Sequence, residues 1–194
     1  SKSAGAWIDL GEAIERHGVD ALRYFLLREI PFDDDGDFSW QRFQSRYTAD
    51  LANTLGNLTS RVAALVTRHA PDGCVPPRIH GDGGGTIADA IQATEARTVV
   101  ARERYIAAFE AFAPHEALSA VFDALVAGNE LLSRTTPWAL ATDPARRDDF
   151  DRTIRAAVTL LAQAAVLLWP ARSLRPEAQG RFLRLVHARE LRWN

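Results

Sequence analysis

Apolar residues recur every three or four positions through residues 47–68. This spacing is typical of an amphipathic helix that buries one face. The members of the stripe are Leu51, Leu55, Leu58, Val62 and Leu65. Pro71 ends the pattern because proline cannot continue a helix. We therefore expect residues 47–68 to contribute one helix face to a hydrophobic core, with a bend near Thr48.

Two polar residues lie beside this stripe. Asn57 and Arg61 are four positions apart, so they are neighbours on one flank of the helix, about a quarter turn from the centre of the stripe. Gly56 precedes them, although glycine inside a helix costs about 1 kcal/mol relative to alanine. A small residue here indicates that something approaches the backbone closely. Spacing alone favours a solvated polar flank, and a binding groove is the alternative.

The helical period continues through most of the chain, and no segment alternates with period two. Further helices are predicted from Asp9 to His17, over residues 21–30, after Ser39, and over residues 86–112, 115–134, 144–169 and 176–189. Ser39 and Thr86 are the expected N-caps of their helices, and Thr136 is expected to cap a short segment that begins with Pro137 and Trp138. The chain is predicted to be all-α, an antiparallel bundle of long helices.

Two further segments contain candidate polar groups. Residues 71–85 are rich in proline and glycine and are predicted to be a mobile surface loop. Cys74 and His80 lie in this loop, but two ligands do not complete a metal site, so a plain loop is preferred and no metal is predicted. Asn129 interrupts an apolar stripe, and we expect it to be a hydrogen-bonded polar group of the core rather than a site.

Composition and charge narrow the classes of partner. The chain has 194 residues, of which 47% are hydrophobic, and this is ordinary for one domain or a domain with an appendage. No apolar run approaches the length of a membrane span, and no secretory signal is visible. One cysteine excludes an internal disulfide and fits a reducing compartment, so a cytoplasmic location is expected. A net charge of −2 means that any nucleic-acid contact must come from a local basic patch.

Several motifs occur in a characteristic order. They are SKS at residues 1–3, GVDALRYFLLREIPFDDDGDFS at residues 18–39, DLANTLGNLTSR at residues 50–61 and PW at residues 137–138. Taken together they resemble the methionyl-tRNA synthetases. DALR alone is shared by several class I synthetases, whereas the longer runs in this order are specific to the methionyl branch. The resemblance implies a junction segment at residues 1–38 and an anticodon-binding helical bundle at residues 39–194.

The resemblance also implies roles for particular residues. Lys2 corresponds to the catalytic lysine of the KMSKS loop, which helps to neutralise the triphosphate of ATP. Asn57, Arg61 and Trp138 correspond to the residues that bind the tRNA anticodon, and the chemistry of these side chains suits unstacked bases. Without the resemblance, Trp138 is better explained as a core residue. The implied partners are a methionine-accepting tRNA and the catalytic domain of the same parent protein.

Some features depart from the family pattern. The SKS segment continues as AGAW instead of the usual sequence, and the nucleotide-binding fold with its HIGH motif is missing. The absence of methionine also suggests a fragment. We therefore expect the chain alone to be catalytically inactive and to hold no cofactor. The alternative is a synthetase-derived binding or scaffold module. Arg68 and Arg134 are candidate phosphate contacts, and a solvated surface role is equally consistent with their positions.

Overall fold

The computed structural model describes residues 10–31, 38–70, 73–77 and 85–171, and this part of the chain contains helices and no strand. The predicted all-α fold is therefore confirmed. The α-helices are α1 (Leu10–His17), α2 (Val19–Glu29), α3 (Trp40–Arg46), α4 (Asn57–His69), α5 (Thr86–Glu110), α6 (Pro114–Thr135), α7 (Pro137–Leu140) and α8 (Arg147–Leu167). The predictions for Lys2, Asp9, His80 and residues 176–189 concern positions outside the described residues.

Helices α5 and α6 form an antiparallel hairpin across a three-residue turn. Pro114 occupies the first turn of α6, where its missing N–H has no helical partner to lose. The two helices approach each other through a contact of small residues, Ala101, Ala120 and Ala124. Alanine brings backbones close together because little side chain lies between them. The hairpin thus provides a rigid frame for the groove described below.

The main core lies between α4, α6 and α8. Leu58, Val62 and Leu65 are buried in it, and Leu51 and Leu55 are partly buried against it. The predicted apolar stripe is therefore confirmed at every position. The other helices contribute fully buried side chains at Leu118, Leu125, Leu132, Phe150 and Ile154. Burial of such side chains stabilises each by about 1.5–3 kcal/mol relative to exposure, so this core holds α4 firmly against α6.

A smaller apolar cluster joins the first three helices. Its buried members are Ala13, Ala21, Leu22, Phe25 and Phe43. The Ser39 hydroxyl accepts a hydrogen bond from the Arg42 backbone N–H at 3.2 Å, which confirms Ser39 as the N-cap of α3. This cluster fixes α3 on α2, and α3 leads directly into the central segment.

One of the predicted helix caps is wrong. Thr86 is the first residue of α5, and the N-cap is Gly85, whose φ of 88° suits glycine and whose lack of a side chain leaves the cap without a side-chain hydrogen bond. Thr136 is confirmed as the N-cap of α7, with Pro137 next to it in the first turn, although it adopts the left-handed conformation (φ 45°) and its side chain makes no capping bond. By contrast, the Asp143 carboxylate accepts from the Ala145 N–H at 3.0 Å, a cap that the sequence analysis missed.

The central segment is not an α-helix throughout. Tyr47–Gly56 is a π-helix, in which each amide bonds the carbonyl five residues earlier, and the α-helical pattern resumes at Asn57. The π-helix begins at Tyr47, next to Thr48, where the sequence predicts a bend. A Cβ added to Gly56 lies 3.0 Å from the carbonyl oxygen of Leu51. The close approach expected at Gly56 therefore comes from its own helix, since Leu51 is the residue five positions before it.

Candidate nucleic-acid interface

A groove of about 510 Å³ lies where the π-helix and α4 face α6. Its lining residues are Asn53, Thr54, Asn57, Arg61, Val126, Asn129, Glu130, Ser133 and Arg134. Asn57 and Arg61 are thus together in one concave surface, as their four-residue spacing predicts. The opposite wall comes from α6, where residues 126, 129, 130 and 133 recur with helical spacing.

Arg61 joins this groove to Trp138. The guanidinium carbon of Arg61 lies 5.6 Å from the centroid of the Trp138 ring, within the range of a cation–π contact. Trp138 is 47% exposed, so the interpretation of this residue as core is wrong. Pro137 before it is buried and anchors the short helix α7 on the bundle. The structure therefore brings Asn57, Arg61 and Trp138 to one surface, although 77 positions separate Arg61 from Trp138 in the chain.

The two candidate phosphate contacts have different surroundings. Arg134 is exposed and lines the groove together with Arg61. It also lines an adjoining depression of about 330 Å³, which contains Thr136 and Arg146. Arg68 is exposed on α4, seven residues beyond Arg61 and so about two turns along the same helix, and it lines neither concavity.

The groove arginines are available for an external partner. Within the described ranges, neither Arg61 nor Arg134 forms an ion pair with a carboxylate. Other surface arginines do: Arg97 pairs with Glu130 and Arg104 pairs with Asp123. Glu130 is the one acidic residue among the described residues of the groove lining, and its ion pair with Arg97 neutralises most of its negative charge. The groove is a local basic patch on a chain of small net negative charge.

Asn129 belongs to this groove, which the sequence analysis missed. Its side-chain amide donates to the backbone oxygens of Thr54, at 3.1 Å, and Leu125, at 3.2 Å. The expected hydrogen bonding is thus confirmed, and the residue is half-buried and also lines the candidate groove. The polar residues at spacings of three and four on α6 were the signal for this second wall.

A cluster of charged and polar side chains joins the π-helix to α2. The Asp50 carboxylate accepts hydrogen bonds from the Tyr24 hydroxyl and from Arg46. Arg46 also bonds Glu29 of α2. Burial, and next the hydrogen bond to Asp50, raise the pKa of Tyr24 above its ordinary value of 10.0 because both favour the neutral phenol. The Tyr24 hydroxyl therefore stays protonated and donates the hydrogen bond that joins α2 to the π-helix.

Two other kinds of site are absent from the described part of the chain. No group of three or more His, Cys, Asp or Glu side chains is placed to hold a metal ion there. In the same residues, no helix combines the length and hydropathy needed to cross a bilayer. Cys74, the cysteine of the predicted loop, is half-buried and belongs to no such metal-binding group among the residues that the structure describes. We therefore take the groove beside Trp138 as the leading candidate site.

Comparison with known proteins identifies relatives of this chain. A family model described as tRNA synthetases class I (M) matches residues 1–63, a range that includes α1, α2, α3, the π-helix and the first turns of α4. Asn57 and Arg61 lie inside this range, and Lys2 does too. The match covers the first third of the chain.

Individual relatives narrow the family. The methionine–tRNA ligase of Bacillus subtilis (strain 168) is 36% identical over 180 residues, which cover 91% of this chain and 26% of the relative. That of Mycobacterium tuberculosis (strain ATCC 25618 / H37Rv) is 37% identical over 188 residues, which cover 96% of this chain and 34% of the relative. The crystal structure of Mycobacterium tuberculosis methionyl-tRNA synthetase bound by methionyl-adenylate superposes with a TM-score of 0.79 at 37% identity, over 94% of this chain and 35% of that one.

The chain belongs to the methionyl-tRNA synthetase family. It spans about a third or less of the length of the relatives that it matches. The shared fold is the helical, C-terminal region of these proteins. The resemblance inferred from the sequence motifs is therefore confirmed at the level of the family.

Proposed function

We propose that the groove beside Trp138 binds the anticodon loop of a methionine-accepting tRNA, as the anticodon-binding part of a methionyl-tRNA synthetase. The observation that supports this most strongly is the contact between Arg61 and Trp138 at the edge of a groove that also contains Asn57. Three side chains suited to unstacked bases converge there from distant parts of the chain. The scaffold alternative has no comparable observation in its favour.

Each side chain has a distinct task in this proposal. Single-stranded RNA loops are recognised by stacking splayed bases on aromatic rings and by hydrogen bonds to base edges. The exposed part of the Trp138 ring provides the stacking surface, and Arg61 holds the ring in place from α4. The Asn57 side chain carries an NH2 group that donates and a carbonyl oxygen that accepts, and together these match the edge of a base. Arg61 supplies further donors, since a guanidinium carries five N–H groups.

Arg134 and Arg68 are proposed to contact phosphates next to the loop. Arg134 is the stronger candidate because it lines the groove and lacks a carboxylate partner among the described residues. Arg68 lies about two turns further along α4, in a position to meet the backbone of the anticodon stem. Both contacts position the RNA without selecting its sequence.

The catalytic function belongs to the proposed parent protein. There, methionine is activated with ATP and transferred to the tRNA, a ligase reaction of cytoplasmic protein synthesis. Lys2 corresponds to the lysine that neutralises triphosphate charge in the transition state, although one electrostatic contribution does not position two substrates. The chain alone is therefore expected to bind tRNA without forming methionyl-adenylate.

A binding assay with two RNAs tests the proposal. The purified chain is titrated with a methionine-accepting tRNA and with the same tRNA in which the first anticodon base is replaced. We expect the first to bind at least about tenfold more tightly, because a mismatched base leaves polar groups unpaired. Asn57→Ala should reduce this ratio. Arg104→Ala is the matched control, since Arg104 is exposed on α5 and pairs with Asp123 outside the groove. Equal binding of both RNAs by the unmodified chain contradicts the proposal.

A further inference from the structure

We infer that Asn129 is a positioning residue for anticodon recognition: it fixes the point at which the π-helix gives way to α4. The inference rests on the proposed function of the groove. Asn129 is one of the few side chains that connect the two walls of the groove directly, and its bond ends on the last turn of the π-helix. Asn57 and Arg61 extend from the turns that follow.

The Thr54 carbonyl at this junction accepts a hydrogen bond from outside its own helix. In a π-helix an amide bonds the carbonyl five residues earlier, and in an α-helix it bonds the carbonyl four residues earlier. Where one pattern replaces the other, neighbouring carbonyls compete for one amide. The Asn57 N–H is such an amide, because it donates both to Ala52, five residues earlier, and to Thr54, three residues earlier. The Thr54 oxygen therefore receives a shared hydrogen bond, and the Asn129 amide supplies a second donor at 3.1 Å.

The orientation of the Asn129 amide follows from its partners. Its nitrogen faces two backbone oxygens, those of Thr54 and Leu125, and both can only accept. Rotating the amide by half a turn would place its oxygen against two carbonyl oxygens, which is unfavourable. The side-chain nitrogen is thus a fixed donor to the π-helix.

Gly128 brings Asn129 within reach of the junction. A Cβ added to Gly128 lies 2.8 Å from Cδ2 of Leu58 and 3.3 Å from Cδ2 of Leu160. Leu58 is fully buried in the first turn of α4 and has little room to move. The absence of a side chain at position 128 therefore lets α6 pack closely on the start of α4. The next residue, Asn129, then reaches the carbonyl of Thr54, which lies one turn before Leu58 in the chain.

The position of the junction determines where the proposed anticodon-binding side chains point. Side chains on an α-helix advance by about 100° per residue, and a π-helix winds more loosely. A shift of the junction thus rotates Asn57 and Arg61 relative to the α6 wall and to Trp138. Asn129 opposes that shift because it holds one carbonyl of the junction at a fixed distance from α6.

Two substitutions remove the donor while keeping the size of the side chain. Asn129→Leu replaces the amide with an apolar group, and Asn129→Asp keeps the shape but offers only acceptors to the Thr54 oxygen at neutral pH. The control is Val121→Ala, which leaves a cavity in the same helix away from the groove and so lowers stability without touching the junction. Having two variants keeps the test decisive when one of them fails to fold.

Amide hydrogen exchange is the first readout. We expect faster exchange at residues 54–58 in both Asn129 variants, in excess of any change elsewhere in α4, and a uniform change in Val121→Ala. The second readout is the affinity ratio for the methionine-accepting tRNA and the tRNA with a replaced first anticodon base. We expect this ratio to fall about threefold to tenfold in the Asn129 variants, as for the loss of one hydrogen bond, and to stay unchanged in the control.

The two readouts separate failure of this inference from failure of the proposed function. If the unmodified chain does not discriminate between the tRNAs, the function is wrong, and exchange at residues 54–58 still decides whether Asn129 holds the junction. If the unmodified chain discriminates and the Asn129 variants keep its ratio, Asn129 is not a positioning residue. Unchanged exchange at residues 54–58 likewise overturns the inference.

Discussion

Replacing Trp138 with alanine separates a binding role from a structural one. The ring is 47% exposed, and its principal described ring contact is the guanidinium of Arg61 at 5.6 Å. A cation–π contact at an exposed site contributes about 0.5–1 kcal/mol, and truncation of a fully buried tryptophan costs about 3–5 kcal/mol. With about half of Trp138 exposed, we expect about half of that cost, so Trp138→Ala should lower the free energy of unfolding by about 1.5–2.5 kcal/mol. Stacking of one base contributes about 1–3 kcal/mol, so the affinity for tRNA should fall by about tenfold to a hundredfold.

The assay measures both quantities on the same preparations. Chemical denaturation gives the free energy of unfolding, and titration with methionine-accepting tRNA gives the affinity of the folded protein. Trp169→Ala is the matched control, because Trp169 is 44% exposed and does not line the groove. It should lose a similar amount of stability and keep its affinity. A Trp138→Ala protein that is folded and binds tRNA as tightly as the unmodified chain refutes the stacking role.

Three other predictions follow from the described contacts. Gly56→Ala should not give the usual gain of about 1 kcal/mol in an exposed helix, because the added Cβ meets the carbonyl five residues earlier; a clear rise in melting temperature would contradict this. Burial and the hydrogen bond to Asp50 raise the pKa of Tyr24 in the folded protein. The contribution of Tyr24 to stability is therefore complete below pH 10.0, the ordinary pKa of the phenol in the unfolded chain. It is lost as the pH rises further, because the phenol of the unfolded chain ionises before that of the folded protein. Denaturation between about pH 9 and 11 should show a decline that is smaller in Tyr24→Phe, and an identical slope in both proteins would argue against the shift. Binding to tRNA should weaken only moderately with salt: the slope of log K against log salt should be about −1.4 to −1.8 for the two proposed phosphate contacts, and replacing Arg134 or Arg68 should reduce its magnitude by about 0.7–0.9. A much steeper slope that neither replacement changes would exclude these contacts.

The helices were predictable because the spacing of apolar residues that indicates a helix is contained in a short stretch of sequence. The apolar period places Leu58, Val62 and Leu65 in the core without any knowledge of their partners. The π-helix was not predictable in this way. It is held by contacts from other helices, namely Tyr24 to Asp50 on one side and Asn129 to Thr54 on the other. Sequence spacing contains no information about either contact.

The candidate site was predictable in part. The four-residue spacing of Asn57 and Arg61 places them on one helix flank, and the family resemblance added Trp138. The pattern of apolar residues alone assigned Trp138 to the core, because nothing in the sequence around Pro137 and Trp138 indicates that the tryptophan ring is exposed. Asn129 was separated from the site because an amide in an apolar stripe is usually a satisfied core group. Only the position of α6 opposite α4 shows that it lines the groove.

Nuclear magnetic resonance with an anticodon stem-loop RNA locates the binding surface most directly. Spectra of the ¹⁵N-labelled chain are recorded as the RNA from a methionine-accepting tRNA is added. One shared site for Asn57, Arg61 and Trp138 predicts that the indole N–H signal of Trp138 and the side-chain signals of the other two residues shift together, with one dissociation constant. The indole signal of Trp169 should stay unchanged, since that ring is about equally exposed but lies outside the groove lining. Shifts confined to other surfaces, with the Trp138 signal unmoved at saturation, would contradict recognition of the anticodon by this groove.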